Sequence, residues 1–521
     1  MNNKKYISAF VKCFMLSLML LPVLAEAQDN NMAYVEKNFA KTLWFSTGNA
    51  AGLAIAPLNK FNTVGLDYYY TDGAFKRKQE GKSLSDIRFQ TQGAMKSGKV
   101  FLWGKFGYDN ITENGTKFNT LLYNPFDERF LYNVADTSKS NWKKQSYDLE
   151  FKAAVPVVAD KLYVGMHLIY SDKIAAKQID PRAESYKYNI TVKPSAVFLS
   201  GKSSIGINGY YSNTFERTNP TNSNNSLYHN VYVLKGLGNY VLDVIGGNGS
   251  LNTFYYKCNS YGGGLQYYYV SEGSKHFKML AEAGFIEHKT NVRQGSSQPQ
   301  KMGSTKMDVI YSSLQCLFGQ GGTLNKISAS YINKNTDGTE YTSVWSTSRG
   351  EWVVATQAVM SNYATNTAEI AYDRFICRKN RDSYDWRLSA SARLYAKNDE
   401  YYLPNSTFDY DNCLLNVKAG KNISFAKSDL LLSLKASYNY NISGKYNYTG
   451  NKSDAPTITD WYAHDIKILT SDFMQGGIDV KYGIKIRDDI NLGLSGSFSY
   501  LYANKDKLHR TITGIGVNLI F

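Results

Sequence analysis

Apolar and polar residues alternate with a period of two along most of this chain. Between residues 428 and 441, Leu430, Leu432, Leu434, Ala436, Tyr438 and Tyr440 fall on one side, and Leu431, Ser433, Lys435, Ser437 and Asn439 on the other. Residues 489–502 repeat the pattern, with Ile490, Leu492, Leu494, Phe498, Tyr500 and Tyr502 opposed to Asn491, Gly493, Ser495, Ser497 and Ser499. Successive side chains of an extended strand point to opposite faces, so such stretches predict strands with one apolar and one polar face. Eighteen of them run from 63–71 to 509–521.

Short turns, such as Lys96-Ser97-Gly98-Lys99 and Ser200-Gly201-Lys202, join these strands in pairs, and the polar stretches 110–144, 215–259, 335–365 and 441–470 between pairs read as long loops. Short turns on one side and long loops on the other are the mark of outer-membrane barrels. The expected fold is therefore all-β: a single transmembrane antiparallel β-barrel of about 18 strands, within a range of 14–18, with long extracellular loops and short periplasmic turns. The final strand alternates through Thr511, Thr513, Ile515, Val517 and Leu519 to Phe521, which reads as a signal for the outer-membrane assembly machinery.

The N-terminus gives the compartment. Residues 1–27 have the three parts of a secretory signal peptide: Lys4 and Lys5, then the apolar run Phe14 to Leu24, then Ala25-Glu26-Ala27 as a small-x-small cleavage site. The run is too short to span a bilayer comfortably. The expected organisation is a cleaved signal (1–27), a periplasmic N-terminal segment or plug (28–62) and an outer-membrane barrel (63–521). A TonB-dependent receptor is disfavoured, because its plug domain needs far more than the 35 residues between the signal and the first strand.

Composition narrows the class further. No apolar run of about 20 residues follows the signal, which argues against a polytopic helical protein. An aromatic content of 14% argues against disorder. The 42 tyrosines suit headgroup-level girdles, to which Tyr68, Tyr69, Tyr70, Tyr267, Tyr268, Tyr269, Tyr438, Tyr440, Tyr500 and Tyr502 are assigned. The formal charge of +15 is spread along the chain with no Arg/Lys-aromatic motif for nucleic acid. It fits contact with outer-membrane lipid and the phosphates of lipopolysaccharide, or attraction of anionic solutes. Cys258, Cys316, Cys377 and Cys413 are far apart and show no metal-ligand spacing, so they read as free thiols or one or two disulfides.

If the apolar faces meet lipid, the opposite faces line the interior. That assigns Arg88, Lys105, Asp148, Glu150, Lys152, His167, Lys278, Glu282, Arg387, Arg393, Asp479 and Lys481 to the lumen, with Asp385 and Lys485 at strand ends. They either line a hydrated pore or pair across strands within a closed scaffold. Trp142, Trp345, Trp352 and Trp461 fall in the expected outer loops, as packing residues or anchors for a partner. No HExxH, GxSxG or phosphate-loop motif occurs, and residues 335–340 lack the spacing of a calcium loop, so no enzyme and no cofactor are expected.

The signal ending Ala-Gln, the Tyr- and Asn-rich strands and the terminal Phe resemble outer-membrane barrels of Bacteroides-type bacteria. The segment Ser46-Thr47-Gly48-Asn49-Ala50-Ala51-Gly52-Leu53-Ala54 resembles the Asn-Pro-Ala-(Gly/Ala) element near the N-terminal hatch of FadL-type long-chain fatty-acid channels, with Ala50 in place of the proline. That resemblance implies that residues 28–62 plug the barrel, with Asn49, Ala50, Ala51 and Gly52 as the hatch. The expected function is solute passage, or an accessory role in nutrient uptake beside a TonB-dependent receptor or a surface lipoprotein. Two alternatives stand beside it: a non-conducting surface barrel whose loops bind a protein, glycan or lipoprotein, and a FadL-like channel for hydrophobic compounds.

Overall fold

A computed structural model describes residues 31–521, apart from 159–160, 225, 248–250, 272–275, 321, 378–382, 488–489 and 506. Its strands are β1 (Phe61–Gly73), β2 (Ser83–Ser97), β3 (Val100–Thr116), β4 (Val134–Ala135), β5 (Ser140–Val158), β6 (Leu162–Lys177), β7 (Arg182–Ser200), β8 (Ser203–Thr221), β9 (His229–Gly236), β10 (Asn239–Ile245), β11 (Phe254–Val270), β12 (His276–Gln294), β13 (Gln300–Gly319), β14 (Thr323–Ser346), β15 (Glu351–Ile376), β16 (Trp386–Tyr401), β17 (Ser406–Ser424), β18 (Ser428–Tyr448), β19 (Phe473–Lys485), β20 (Asn491–Ala503) and β21 (Leu508–Ile520).

Eighteen of these form one closed antiparallel sheet in which each strand pairs with its sequence neighbours. β1 closes the barrel against β21, from Thr63↔Ile520 to Gly73↔Arg510. Beyond that ladder, the backbones of Asn62 and Phe521 exchange hydrogen bonds of 2.8 and 3.0 Å. All eighteen stretches predicted from alternation correspond to barrel strands. The outward face carries an exposed apolar band that includes Leu66, Ile87, Ile205, Ile207, Leu265, Ile310, Ile370, Leu434 and Ile515. This is the surface a bilayer would cover.

The expected loops are corrected in length. Strands β14 and β15 have 24 and 26 residues, against the ~9–11 needed to cross a bilayer. Most of 335–365 is thus a paired hairpin that turns at residues 347–350. Above the lipid a strand needs no apolar outer face, so alternation stops while the backbone ladder continues. True long connections remain at 117–139, 222–253 and 449–472. The first two fold back and contribute β4, β9 and β10 to a small three-stranded sheet. Leu121, Leu122, Phe130, Tyr132, Val134, Val231 and Val233 from these connections bury against Trp142, Phe254 and Tyr256 of the wall. The third connection carries a wide-wound turn, Thr457–Tyr462, and the short helix Ala463–Leu469. The loop end is therefore filled by packed chain.

The tyrosine assignment changes where residues are consecutive. Tyr68 and Tyr70 are exposed on the outside, whereas Tyr69 borders an interior cavity. Tyr267 is exposed, but Tyr268 is 3% exposed and packs on Trp44. A period of two puts the middle member of such a run on the opposite face.

Residues 31–60 lie within the short-turn end. Helix α1 (Met32–Lys41) starts at Asn31, whose side-chain oxygen accepts the Tyr34 N–H at 2.9 Å, and ends with Lys41 at its negative pole. Two single turns follow, Leu43–Ser46 and Ala51–Ala54. Tyr34, Val35, Leu43, Trp44, Leu53 and Leu58 bury against wall residues that include Phe101, Trp103, Tyr268, Leu280 and Leu317. Asn38 clasps the far end of the segment: its amide donates to Asn59 O at 3.1 Å and its carbonyl accepts Asn59 N–H at 3.0 Å.

Candidate functional site in the barrel interior

The N-terminal segment is held by polar contacts as well as by its apolar core. The Asn49 carboxamide donates to Ala196 O (3.1 Å), Ile207 O (3.2 Å) and Gln266 Oε1 (2.8 Å), and its own oxygen accepts Ala51 N–H at 3.0 Å. Ala51 N–H also donates to Ser195 Oγ at 3.1 Å, and Gly48 N–H donates to Glu282 Oε1 at 3.2 Å. Lys152 Nζ donates to Phe45 O at 2.7 Å and sits 4.2 Å over the Phe45 ring. Asn49, Ala50, Ala51 and Gly52 are thus fully buried against strands β6–β8 and β11.

Gly52 is required by close approach. A Cβ there would stand 2.0 Å from Trp44 Cδ2, and Trp44 is fully buried. Gly52→Ala is expected to cost about 1–3 kcal/mol by overpacking. Hydrogen exchange of residues 43–54 should speed up by about ten-fold per 1.4 kcal/mol, with the rest of the barrel unchanged. Unaltered exchange at these amides would show that the Trp44–Gly52 contact does not hold the segment.

On the other side of the lumen, Glu36 anchors α1. It accepts from Tyr384 Oη at 2.6 Å and pairs with Arg387 and Lys481, each at 3.3 Å. Burial works to raise the Glu36 carboxyl, but Lys481, Lys418, the Tyr384 hydroxyl and Arg387 outweigh it and hold the carboxyl below its ordinary 4.5. A carboxyl depressed in the folded state contributes stability that is present above about pH 4.5 and lost as pH falls through the folded value. Acidification below about pH 4.5 should therefore loosen α1. Hydrogen exchange of residues 33–41, corrected for its intrinsic pH dependence, should rise in acid in the wild-type protein. It should stay level in Glu36→Gln. An equal acid response in both would remove Glu36 from the anchor.

Most of the other predicted lumen residues are ion-paired or lie near charge. Arg88 bridges Asp86 (2.7 Å) and Asp109 (2.8 Å), His167 meets Glu150 at 2.7 Å, and Lys173 meets Asp148 at 3.6 Å. Arg393 pairs with Glu369 at 2.7 Å, and Asp479 pairs with Lys435. Lys105 lies within the field of Glu150. Lys278 stands at the short-turn end of β12, opposite Val270 and Leu317. Asp385 lies in the turn before β16, where its N–H donates to Ile376 O, and Lys485 ends β19.

Of the four tryptophans assigned to loops, Trp461 alone lies in a connection, and Trp142, Trp345 and Trp352 lie in strands. Trp142 lies in β5 and is fully buried, because the polar run around it is strand. Trp461 is in a long connection but is buried at 6%, stacked on Phe118 with ring centroids 5.2 Å apart. Trp345 and Trp352 are exposed partners across the β14–β15 hairpin, edge to face at 5.6 Å.

Beside α1 lies a cavity of about 570 Å³ on the β1–β2 and β17–β21 side. Its walls include Gln90, Gln92, Lys418, Lys435, Asp479 and Lys481. Small inner residues on β19–β21, such as Gly477, Ser495, Ser497 and Gly514, leave the space open. A second cavity of about 200 Å³ lies at the loop end, among Glu128, Tyr395, Lys397, Asp399 and Trp461. Glu36, Lys418 and Tyr384 were not singled out from the sequence. Lys418 was within reach of the parity rule, since it lies on a predicted strand. Glu36 was not, because its partners are more than 300 residues away. The four cysteines are free thiols. Among the described residues no group of three His, Cys, Asp or Glu could hold a metal ion.

Comparison with solved structures finds distant likenesses. The outer membrane transporter YddB from Escherichia coli is 7% identical, with a TM-score of 0.40 over 89% of this chain and 81% of that one. The ferric yersiniabactin uptake receptor FyuA from Yersinia pestis is 8% identical, with a TM-score of 0.38 over 88% and 80%. The RagAB peptide transporter is 9% identical, with a TM-score of 0.41 over 85% and 72%. Likenesses this remote carry no argument about activity. The barrel stands on its own strand register. No curated protein matches the sequence. A family model does match, over residues 50–521, so the whole barrel together with the Asn49-adjacent turn is covered. The chain belongs to that family, DUF6850, a family of unknown function.

Proposed function

We propose that this protein is an outer-membrane barrel of a Gram-negative bacterium that passes small polar solutes, with residues 31–60 as a periplasmic plug and the inward-folded loops as an outer lid. The observation that carries this reading is the 570 Å³ cavity with Lys, Gln and Ser on its walls, bordered by α1 and the wall strands. An 18-strand barrel has room for an aqueous channel once its contents move. The plug is held by a few hydrogen bonds and ion pairs around Asn49 and Glu36, together with a modest apolar core. The Lys, Gln and Asp groups on that wall offer partners to a polar solute, which a channel for hydrophobic compounds does not need. Planar-bilayer recording of the plug-deleted barrel tests the proposal.

A second reading has one observation in its favour. Beyond the neighbouring strands the β14–β15 hairpin continues as a free two-stranded ribbon, with exposed Val344, Trp345, Trp352 and Val359. Aromatic residues so placed suit partner binding, whether by a surface lipoprotein or by a TonB-dependent receptor that this chain assists. The same recording separates the readings, since a barrel that only binds partners stays closed without its plug.

A further inference from the structure

The lumen cavity holds two lysines face to face. Lys418 on β17 and Lys435 on β18 stand directly opposite one another in the ladder, and both line the cavity. Like charges directly opposite across an antiparallel pair are destabilising. Lys435 is relieved by Asp479 on β19. Lys418 makes no ion pair and no hydrogen bond among the described residues. Glu36, whose field reaches it, already serves Tyr384, Arg387 and Lys481.

Uncommitted hydrogen-bonding groups face the same space. Gln90 and Gln92 on β2 line the cavity and form no side-chain hydrogen bond among the described residues. Such groups are costly when left unmatched. Both wall carboxylates are already engaged: Asp67 lies in the fields of Arg88 and Lys481, and Asp479 pairs with Lys435. The volume falls within the ~300–1,000 Å³ typical of small-molecule pockets.

From this arrangement we infer that the cavity is a binding site for a small organic anion of sugar size, with its carboxylate or phosphate at Lys418 and its hydroxyl or amide groups toward Gln90 and Gln92. The inference rests on the solute-passage reading, for which it names the substrate class. A loop-binding scaffold has no use for an unpaired lysine facing another lysine.

Titration calorimetry on the full chain, in micelles of an uncharged detergent, tests this with gluconate, glucose 6-phosphate, glucose and glucosamine as probes. One or both anions should bind at least about ten-fold more tightly than glucose or glucosamine, about 1.4 kcal/mol. If only one of the two does, it identifies the anionic group. Lys418→Gln should abolish that preference with little change in Tm, because the relieved repulsion from Lys435 offsets the lost attraction to Glu36. Lys306→Gln, on an exposed outer position, should leave binding unchanged. Glucosamine binding as tightly as the anions, equal anion affinity in wild type and Lys418→Gln, or no binding of any probe would overturn the inference. The conductance test uses inorganic salt alone, so a barrel that conducts but binds no anion would fail this inference while keeping the passage reading.

Discussion

Removal of residues 31–60 is expected to raise conductance across a planar bilayer by about ten-fold or more over the wild-type barrel, whose trace should be almost closed. The short-turn end is blocked by α1 and the turns around Asn49. No wall strand depends on them for its ladder, since all eighteen strands pair with one another. Deleting the segment opens one end only. The loop end keeps its lid of packed residues from 117–139 and 222–253, so openings should be brief, and any change that loosens the lid should lengthen them. If the deleted chain inserts poorly, the full-length Glu36→Gln/Asn49→Ala variant serves instead. It removes the charge that holds α1 and the side chain that bridges β7, β8 and β11. Traces that stay closed in both variants, with or without a loosened lid, would sink the channel reading and leave partner binding.

Lys177→Met is the change expected to loosen that lid. Lys177 Nζ donates to Asp136 Oδ2 at 2.7 Å and to Pro181 O at 2.8 Å, and the two side chains of the ion pair are 1% and 2% exposed. Asp136 in turn organises the 117–139 connection, accepting from Thr120 Oγ1 at 2.7 Å and Ser138 N–H at 2.8 Å. Removing one member of a buried pair strands the other charge, at a cost of about 3–5 kcal/mol. Hydrogen exchange over residues 118–136 should accelerate by about 10²–10⁴-fold, while the barrel ladder keeps its protection. Lys177→Met/Asp136→Asn should recover more than half of the loss, because Asn keeps the acceptor without the charge. Exchange in the single variant within a factor of about three of wild type would mean that the pair does not hold the lid.

The barrel was legible because one physical rule, lipid outside and polar groups inside, writes itself into every strand at period two. The register of β18 against β19 or of β20 against β21 could be anticipated from faces alone. What lies above the bilayer was not legible for the same reason. Around Trp142 and along 335–365 neither side of the strand faces lipid, so strand and loop have the same composition there. The lumen list drawn from parity could name Arg387 and Lys481, yet not the carboxylate between them. Glu36 belongs to a short helix whose partners lie on strands 351 and 445 residues away. The turn at Asn49–Gly52 stood out by its resemblance, but its bonds to Ala196, Ile207 and Gln266 follow from the closed wall, which no local pattern encodes.

The junction of β1 with β21 has a kinetic consequence. Residue 63 against residue 520 is the most distant pairing in the sheet, whereas all other wall strands meet their sequence neighbours. Loop-closure entropy makes the contact of greatest chain separation the slowest to form, so the cylinder should stay an open, curling sheet until that last join. Residues 31–60 are tethered at the root of β1, directly beside the join. They can be laid into the concave side while the sheet is still open and need not thread a finished ring. Insertion and closure thus become one event, in which the chain shuts around its own leading segment.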